Sequence, residues 1–157
     1  MKGELKMDSW FNLYGTIAIA VIMIPNIIFA LLKPEGFTNV YRNKFVEVFE
    51  QIGRVGSFVF MCFNVKPLVF GFVYFGDIAL NVYRAALIIL TIAYVVGWIF
   101  FKDENSVRKS LYLSIVPSAL FLVCGLMPLN IPLIVSSVIF APCHILISYK
   151  NAKGKQK

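Results

Sequence analysis

The composition of this 157-residue chain excludes a soluble globular domain, because 59% of its residues are hydrophobic and only 15% are charged, against roughly 45–50% and about 25% in soluble domains. Intrinsic disorder is also excluded, since it requires low hydrophobicity with high net charge. The net charge of +7 would favour a nucleic-acid partner in a soluble protein, but these basic residues lie in short stretches between apolar runs, as in the loops of membrane proteins.

The remaining class is an all-α polytopic protein of the cell membrane, surrounded by lipid and without a nucleic-acid partner. Its first apolar run, residues 10–32, is long enough to cross a bilayer, which takes about 20 helical residues. Trp10 and Tyr14 would anchor it at one interface, and Pro25 would kink it. Because the run is longer than the apolar part of a signal peptide and ends without small residues, we expect an uncleaved span.

The second predicted span, residues 45–65, is the least regular because it contains charged side chains. Lys66 and Pro67 end it, and the short apolar stretch that follows would be a connector at the interface. The alternative is an amphipathic surface helix at 43–54 and a span at 55–75 with Lys66 buried. Both arrangements cross the membrane once.

Three further spans are predicted at residues 78–101, 107–127 and 131–149, followed by a basic tail at 150–157. Asn105 or Ser106 is the expected N-cap of the fourth span. The fourth and fifth spans come from one uncharged run, which is about twice as long as one membrane helix needs. Pro128, Leu129 and Asn130 form the turn that divides it.

The basic residues predict the orientation of these five spans. Ten of them fall on one side of the membrane: Lys33, Arg42, Lys44, Lys102, Arg108, Lys109, Lys150, Lys153, Lys155 and Lys157. The other side has Lys2, Lys6 and Lys66. The positive-inside rule then predicts an N-terminus outside the cell and a C-terminus in the cytoplasm. Arg84, inside the third span, is expected to extend its side chain to the outer headgroups.

A polar stripe along the second span is the strongest indication of function. Its members share one helical face: Glu47, Glu50, Gln51, Arg54, Ser57, Met61 and Asn64. A charge at the centre of a membrane helix costs at least about 2.5–3.5 kcal/mol, so such residues face the interior of a bundle and are paired. Glu50 and Arg54 have the i, i+4 spacing of an ion pair. The stripe is either a proton, ion or headgroup site, or a structural pair that fixes helix packing or meets water at the membrane edge.

His144 and Asn26 are predicted to lie at the depth of this stripe, near the cytoplasmic ends of their spans. Together with Glu47, Glu50 and Arg54 they would form one polar cluster at the inner leaflet. A neutral imidazole beside a carboxylate is typical of a proton relay. The alternative for His144 is a hydrogen-bonded residue at the membrane interface.

No metal and no cofactor are predicted. One histidine and two glutamates are few ligands for a metal ion, and the residue spacing typical of a zinc site is absent. The three cysteines, Cys62, Cys124 and Cys143, are far apart in apolar runs, which is typical of packing residues.

Three functions are compatible with these residues. In the first, a transport-related protein binds a solute or ion, with Glu47 and Glu50 as proton or cation acceptors, Arg54 as their charge partner and His144 as a titrating neighbour. A path across the membrane would then need a homo-oligomer or a larger membrane partner. In the second, a membrane-embedded enzyme acts on lipid substrates, which the absence of a hydrolase motif disfavours. In the third, the chain is an accessory or regulatory subunit whose stripe only mates helices.

Overall fold

Five long helices form a bundle in the part of the chain that the structure describes. The computed structural model describes residues 10–32, 39–102, 104 and 106–155, with the backbone alone for residues 71–76. The helices are α1 (Leu13–Leu32), α2 (Lys44–Cys62), α3 (Gly71–Phe100), α4 (Val107–Leu126) and α5 (Ile131–Gly154), and a short 3-10 helix covers Lys66–Leu68. Within the described ranges, β-structure is limited to isolated bridges, so the prediction of an all-α chain is confirmed. Lys2, Lys6, Lys33, Asn105 and Lys157, which enter the sequence predictions, lie outside the described residues.

Four of these helices are long and apolar enough to cross a membrane: α1, α3 over Asp77–Phe100, α4 and α5. The remaining helix, α2, has 19 residues of which four are charged, so its composition alone does not qualify it. It nevertheless runs antiparallel to α5, from the contact of Glu50 with His144 to the hydrogen bond between the Phe60 oxygen and Asn130. α2 therefore extends over the same depth of the bundle as a helix that qualifies.

The start of α3 differs from the prediction. It begins at Gly71 instead of residue 78 and contains 30 residues, so the stretch expected to be an interfacial connector forms its first turns. The break after α2 covers residues 63–70 and includes the short 3-10 helix, and the Phe70 N–H then donates to the Leu129 oxygen (3.4 Å). The chain is thus already attached to the α4–α5 turn where α3 starts. At 1.5 Å per residue, α3 is about 45 Å long, which exceeds the ~30 Å of the hydrocarbon core.

The end of α2 also decides between the two alternatives for this region. Its last residue is Cys62, and the cap residue Phe63 has an extended backbone. The alternative with a span at 55–75 is therefore wrong. Its other part, a separate surface helix at 43–54, is also wrong, because residues 44–54 belong to the single helix α2.

The far end of α5 is longer than predicted. The helix continues to Gly154, so most of the basic stretch at 150–157 is part of the helix and not a separate tail. The side-chain oxygen of Asn151 accepts hydrogen bonds from the backbone N–H groups of Val40 (3.0 Å) and Tyr41 (2.8 Å). These bonds attach the segment before α2 to the last turns of α5.

Polar side chains start α2, α4 and α5. Asn43, Ser106 and Asn130 each accept hydrogen bonds from backbone N–H groups of the first turn, as N-caps do. Of the two residues predicted as the N-cap of α4, Ser106 is the cap in the structure. Asn130 follows Leu129, whose φ of 48° is left-handed, and this conformation closes the tight turn between α4 and α5.

The helices alternate in direction, so the ends of α1, α3 and α5 gather with the starts of α2 and α4. At this end, Nζ of Lys109 in α4 lies over the rings of Phe29 in α1 (5.1 Å) and Trp98 in α3 (5.5 Å). We call it the basic end, because it contains most of the described Lys and Arg: Arg42, Lys44, Lys102, Arg108, Lys109, Lys150, Lys153 and Lys155. The opposite end has the bridge between Val69 and Asn130.

Aromatic rings fill the interior of the bundle. The helices form a ring in which α1 contacts α2 and α3, α4 contacts α3 and α5, and α5 contacts α2. Phe121 lies edge-on to Phe58 and to Phe140, at centroid distances of 5.7 and 5.6 Å. Tyr83 and Leu120 are fully buried in the same core.

Small residues allow α2 and α5 to make the most extensive helix contact of the bundle. A Cβ atom added at Gly53 would lie 2.6 Å from the backbone nitrogen of Phe140 and 2.7 Å from its Cα. One added at Gly56 would lie 2.5 Å from Oγ of Ser136. Close backbone approach over small residues is the usual way in which membrane helices gain packing energy. Gly53 therefore fixes how near α2 can come to α5.

Replacing Gly53 with alanine is expected to push α2 away from α5, because the obstructing atoms belong to the Phe140 backbone. We expect a loss of about 1–3 kcal/mol in the free energy of unfolding, the usual range for overpacking. Reversible unfolding in mixed micelles with increasing SDS measures it. The control is Ile52→Ala, at a neighbouring position of α2 whose side chain is 56% exposed. Equal unfolding of the two variants would contradict this account of the contact.

Candidate functional site

The α2–α5 contact brings Glu50 and His144 together. Nδ1 of His144 lies 2.9 Å from Oε1 of Glu50, although the two residues are 94 positions apart in the chain. The same oxygen accepts hydrogen bonds from Nε (3.0 Å) and Nη2 of Arg54, one turn further along α2. We call these three residues the Glu50 cluster. One carboxylate oxygen thus joins two donor side chains from two helices.

The members of the cluster differ in exposure. Glu50 is nearly fully buried, with 3% of its side chain exposed, whereas Arg54 is 39% and His144 22% exposed. A buried carboxylate costs several kcal/mol unless donors surround it, and here both donors lie between it and the surface. The part of the cluster that a ligand can reach is therefore its nitrogen side.

Packing fixes the position of both donors. The imidazole of His144 stacks on the ring of Phe140, with centroids 4.5 Å apart and ring planes 20° apart. Phe140 is the residue whose backbone meets Gly53, and Gly53 lies between Glu50 and Arg54 in α2. The close contact of the two helices thus also positions the groups that form the hydrogen bonds. Residue spacing within either helix alone could not predict this.

Glu47 and Asn26, the other two predicted members, have different partners. Oε1 of Glu47 accepts a hydrogen bond from Nδ2 of Asn39 (2.7 Å) at the basic end of the bundle. Asn26 donates to the Ile22 oxygen (2.8 Å) and accepts from the Tyr94 hydroxyl (2.9 Å), which links α1 to α3. Of the five predicted site residues, the structure therefore joins three in direct hydrogen bonds.

Tyr94 is the partner of Asn26 and was missed from the sequence. Its buried hydroxyl donates to Oδ1 of Asn26. Tyrosine in an apolar run is common as a packing or interfacial residue, so nothing in the sequence distinguished it. The Asn26–Tyr94 hydrogen bond thus joins α1 to α3, whereas the Glu50 cluster joins α2 to α5.

Lys109 is a second feature that the sequence did not indicate beyond its contribution to the charge count. Its side chain is buried, with Nζ over the rings of Phe29 and Trp98 and 3.4 Å from the Lys102 oxygen. An ammonium over aromatic faces gains cation–π energy that increases with desolvation. Lys109 thus joins three helices at the basic end.

Arg84 has an aromatic partner that the sequence did not indicate. Its guanidinium carbon lies 5.1 Å above the ring centroid of Tyr14, and its Nε is buried, with no hydrogen-bond partner among the described residues. Tyr14 is one of the two aromatic residues predicted to anchor α1 at the outer interface, so the extension of Arg84 to the outer headgroups stays a prediction.

The described residues do not contain a group of three His, Cys, Asp or Glu side chains that could hold a metal ion. Cys62, Cys124 and Cys143 are free thiols. The chemistry that the Glu50 cluster offers is therefore hydrogen bonding and charge. A carboxylate only accepts, so Nδ1 of His144 carries the proton that points to Glu50, and Nε2 of a neutral ring remains an acceptor.

Removing the charge of Glu50 tests the energetic importance of the cluster. Glu50→Gln leaves the half-buried Arg54 without its counter-ion, so we expect the free energy of unfolding to fall by about 1–3 kcal/mol, between the values for exposed and buried pairs. Glu47→Gln is the matched control, since it makes the same change at a residue whose partner is Asn39, and we expect less than about 1 kcal/mol. Denaturation by SDS measures both, and equal losses would contradict the distinction between the two glutamates.

The chain matches no protein-family model, no curated protein and no solved structure.

Proposed function

We propose that this membrane protein binds a small ion or polar solute at the Glu50 cluster, as part of a transport-related role. The observation that carries the proposal is the combination of a buried carboxylate with two partly exposed donors from different helices. Exposed N–H groups on a fixed scaffold are typical of a binding site.

The depth of the cluster supports this proposal. Glu50 lies six residues after Lys44 in α2, and His144 lies six residues before Lys150 in α5, which is about 9 Å along either helix. A polar ligand from the aqueous phase at the basic end would thus travel less than a third of the ~30 Å hydrocarbon core.

The packed interior limits what one copy can do. Tyr83, Leu120 and Phe121 are fully buried and belong to one hydrophobic core, and such a core does not favour an aqueous path through a single bundle. Transport across the membrane would then use a second copy or a larger membrane partner, with this chain supplying the binding step. The enzyme and accessory alternatives rest on the same cluster without a further observation in their favour.

The orientation belongs to the same proposal. The basic end gathers Arg42, Lys44, Lys109 and Lys150 at one end of the bundle, and the positive-inside rule assigns such an end to the cytoplasm of a cell membrane. The Glu50 cluster would then face the inner leaflet.

Cysteine labelling tests this orientation. In a chain whose native cysteines are replaced, Glu104→Cys at the basic end should react with a membrane-impermeant maleimide only after cells are permeabilised. Lys66→Cys, exposed near the opposite end, should react in intact cells. Labelling of Glu104→Cys from outside would overturn the proposed orientation.

Ligand-induced stabilisation tests the binding function. The purified chain in lipid nanodiscs is unfolded thermally in sodium, potassium, chloride and phosphate salts at constant ionic strength. A ligand at 100 times its Kd adds about 2.7 kcal/mol of stability. We expect one ion to raise Tm in the wild type and in Glu47→Gln, with the rise lost in Glu50→Gln. If every salt shifts the Tm of all three proteins equally, the cluster only mates helices.

A further inference from the structure

We propose that the ligand of the Glu50 cluster is an anion with a protonated oxygen, namely a phosphate or a phosphate monoester. Arg54 would bind its charged oxygens, and Nε2 of His144 would bind its hydroxyl. This inference rests on the function proposed above and adds the chemical class of the ligand.

Exposure and hydrogen bonding decide the charge of the ligand. The carboxylate of Glu50 is almost fully buried, and its Oε1 already accepts from Arg54 and His144. A cation at this carboxylate would have to lie beside the guanidinium of Arg54, which already neutralises it and would repel a second positive charge. The reachable groups belong to the guanidinium, which is always protonated, and to the imidazole. An anion therefore binds without breaking any contact.

Arg54 retains donors for such an anion. A guanidinium has five N–H donors in a planar fork that matches the oxygens of phosphate. Glu50 accepts from Nε and Nη2, and among the described residues no acceptor bonds Nη1. The two N–H groups on Nη1 are thus available on a side chain that the ion pair with Glu50 already holds in place.

His144 selects phosphate from other anions. Because its Nδ1–H points to Glu50, the neutral ring presents Nε2 as an acceptor. Chloride, sulfate and a carboxylate cannot donate a hydrogen bond to it, whereas a singly charged phosphate group has a P–OH. When the ring takes a second proton, Nε2 becomes a donor and suits the dianion instead.

Preorganisation strengthens this fit. The ring of His144 is held by its stack on Phe140, and Arg54 is held by Glu50. Side chains that are already ordered lose little conformational entropy on binding, so less of the interaction energy is spent on immobilising them. Glu50 weakens the net positive charge, so the site depends on geometry more than on long-range attraction.

The phosphate could come from water or from a lipid. Both sources reach a site about 9 Å along the helices from the basic end. A lipid phosphate monoester, such as phosphatidic acid, has the P–OH that His144 needs. Phosphatidylglycerol has the same kind of anionic headgroup but is a diester, and its phosphate lacks a hydroxyl. Comparing phosphatidic acid with phosphatidylglycerol therefore tests the predicted hydrogen bond between the P–OH and Nε2 of His144.

The experiment measures thermal unfolding of the full chain against titrated inorganic phosphate and sulfate, and in nanodiscs that contain phosphatidic acid or phosphatidylglycerol. For the wild type we expect half-maximal stabilisation at a concentration of phosphate that is about tenfold or more below that of sulfate. This ratio is the effect expected of one good hydrogen bond to a charged group. Arg54→Lys keeps the charge but loses the planar fork, so we expect about a tenfold weaker response to phosphate.

Two further variants provide a control for Arg54→Lys and a separate test of the contact with His144. Arg42→Lys makes the same change at an exposed arginine of the basic end, and its response to phosphate should equal that of the wild type. His144→Asn should respond to phosphate and sulfate alike, because the shorter amide can donate to Glu50 from the place of Nδ1 but has no acceptor at the place of Nε2. If Arg54→Lys does not fold, as judged by circular dichroism and gel filtration, the ratio of the phosphate response to the sulfate response in His144→Asn, compared with the wild type, tests the inference.

The outcomes separate this inference from the function on which it rests. Stabilisation by both phosphate and phosphatidic acid, or by either alone, supports the ligand class and identifies its source. Equal effects of phosphate and sulfate, together with equal effects of phosphatidic acid and phosphatidylglycerol, would overturn it in the wild type. Equal responses of Arg54→Lys and Arg42→Lys would also overturn it. Stabilisation by sodium or potassium that is lost in Glu50→Gln would overturn the inference but keep the binding function. No stabilisation that depends on the cluster would overturn both.

Discussion

The close contact between α2 and α5 is the constraint on which the polar part of this structure depends. At Gly53 the two backbones come so near that not even a methyl group fits beside Phe140. Because the register of the two helices is fixed there, Glu50 and His144, about one turn away on either helix, meet at 2.9 Å. A buried carboxylate without such donors is strongly destabilising. The packing of the small residues and the electrostatics of the cluster are therefore coupled.

Charged side chains inside the bundle are stabilised by different local contacts. Glu50 accepts hydrogen bonds from two side chains, the partly buried Arg84 lies over the ring of Tyr14, and Lys109 lies over two aromatic rings at the basic end. Hydrogen bonds to an ion and cation–π contacts both strengthen as water is removed. The bonds to Glu50 in particular explain how α2, with four charged residues, packs against the apolar helix α5.

Part of the candidate site followed from the sequence, and part of it did not. The i, i+4 spacing of Glu50 and Arg54 places them on one helical face, and the structure has them in contact. The depth of His144 was correctly linked to that of Glu50. Depth alone also suggested Asn26, but Asn26 faces Tyr94 on α3. Distance from the membrane surface does not specify the direction in which a side chain points around its helix.

The sequence by itself determined the membrane class, the all-α architecture and the gathering of basic residues at one end. These are consequences of composition, hydrophobic run length and charge placement, which act within short segments of chain. Only the tertiary structure decided that α2 pairs with α5, that α3 starts at Gly71, and that one oxygen of Glu50 joins Arg54 to His144. Those features depend on which helix faces fit together, and steric fit between residues as much as 94 positions apart is not a property of any local pattern.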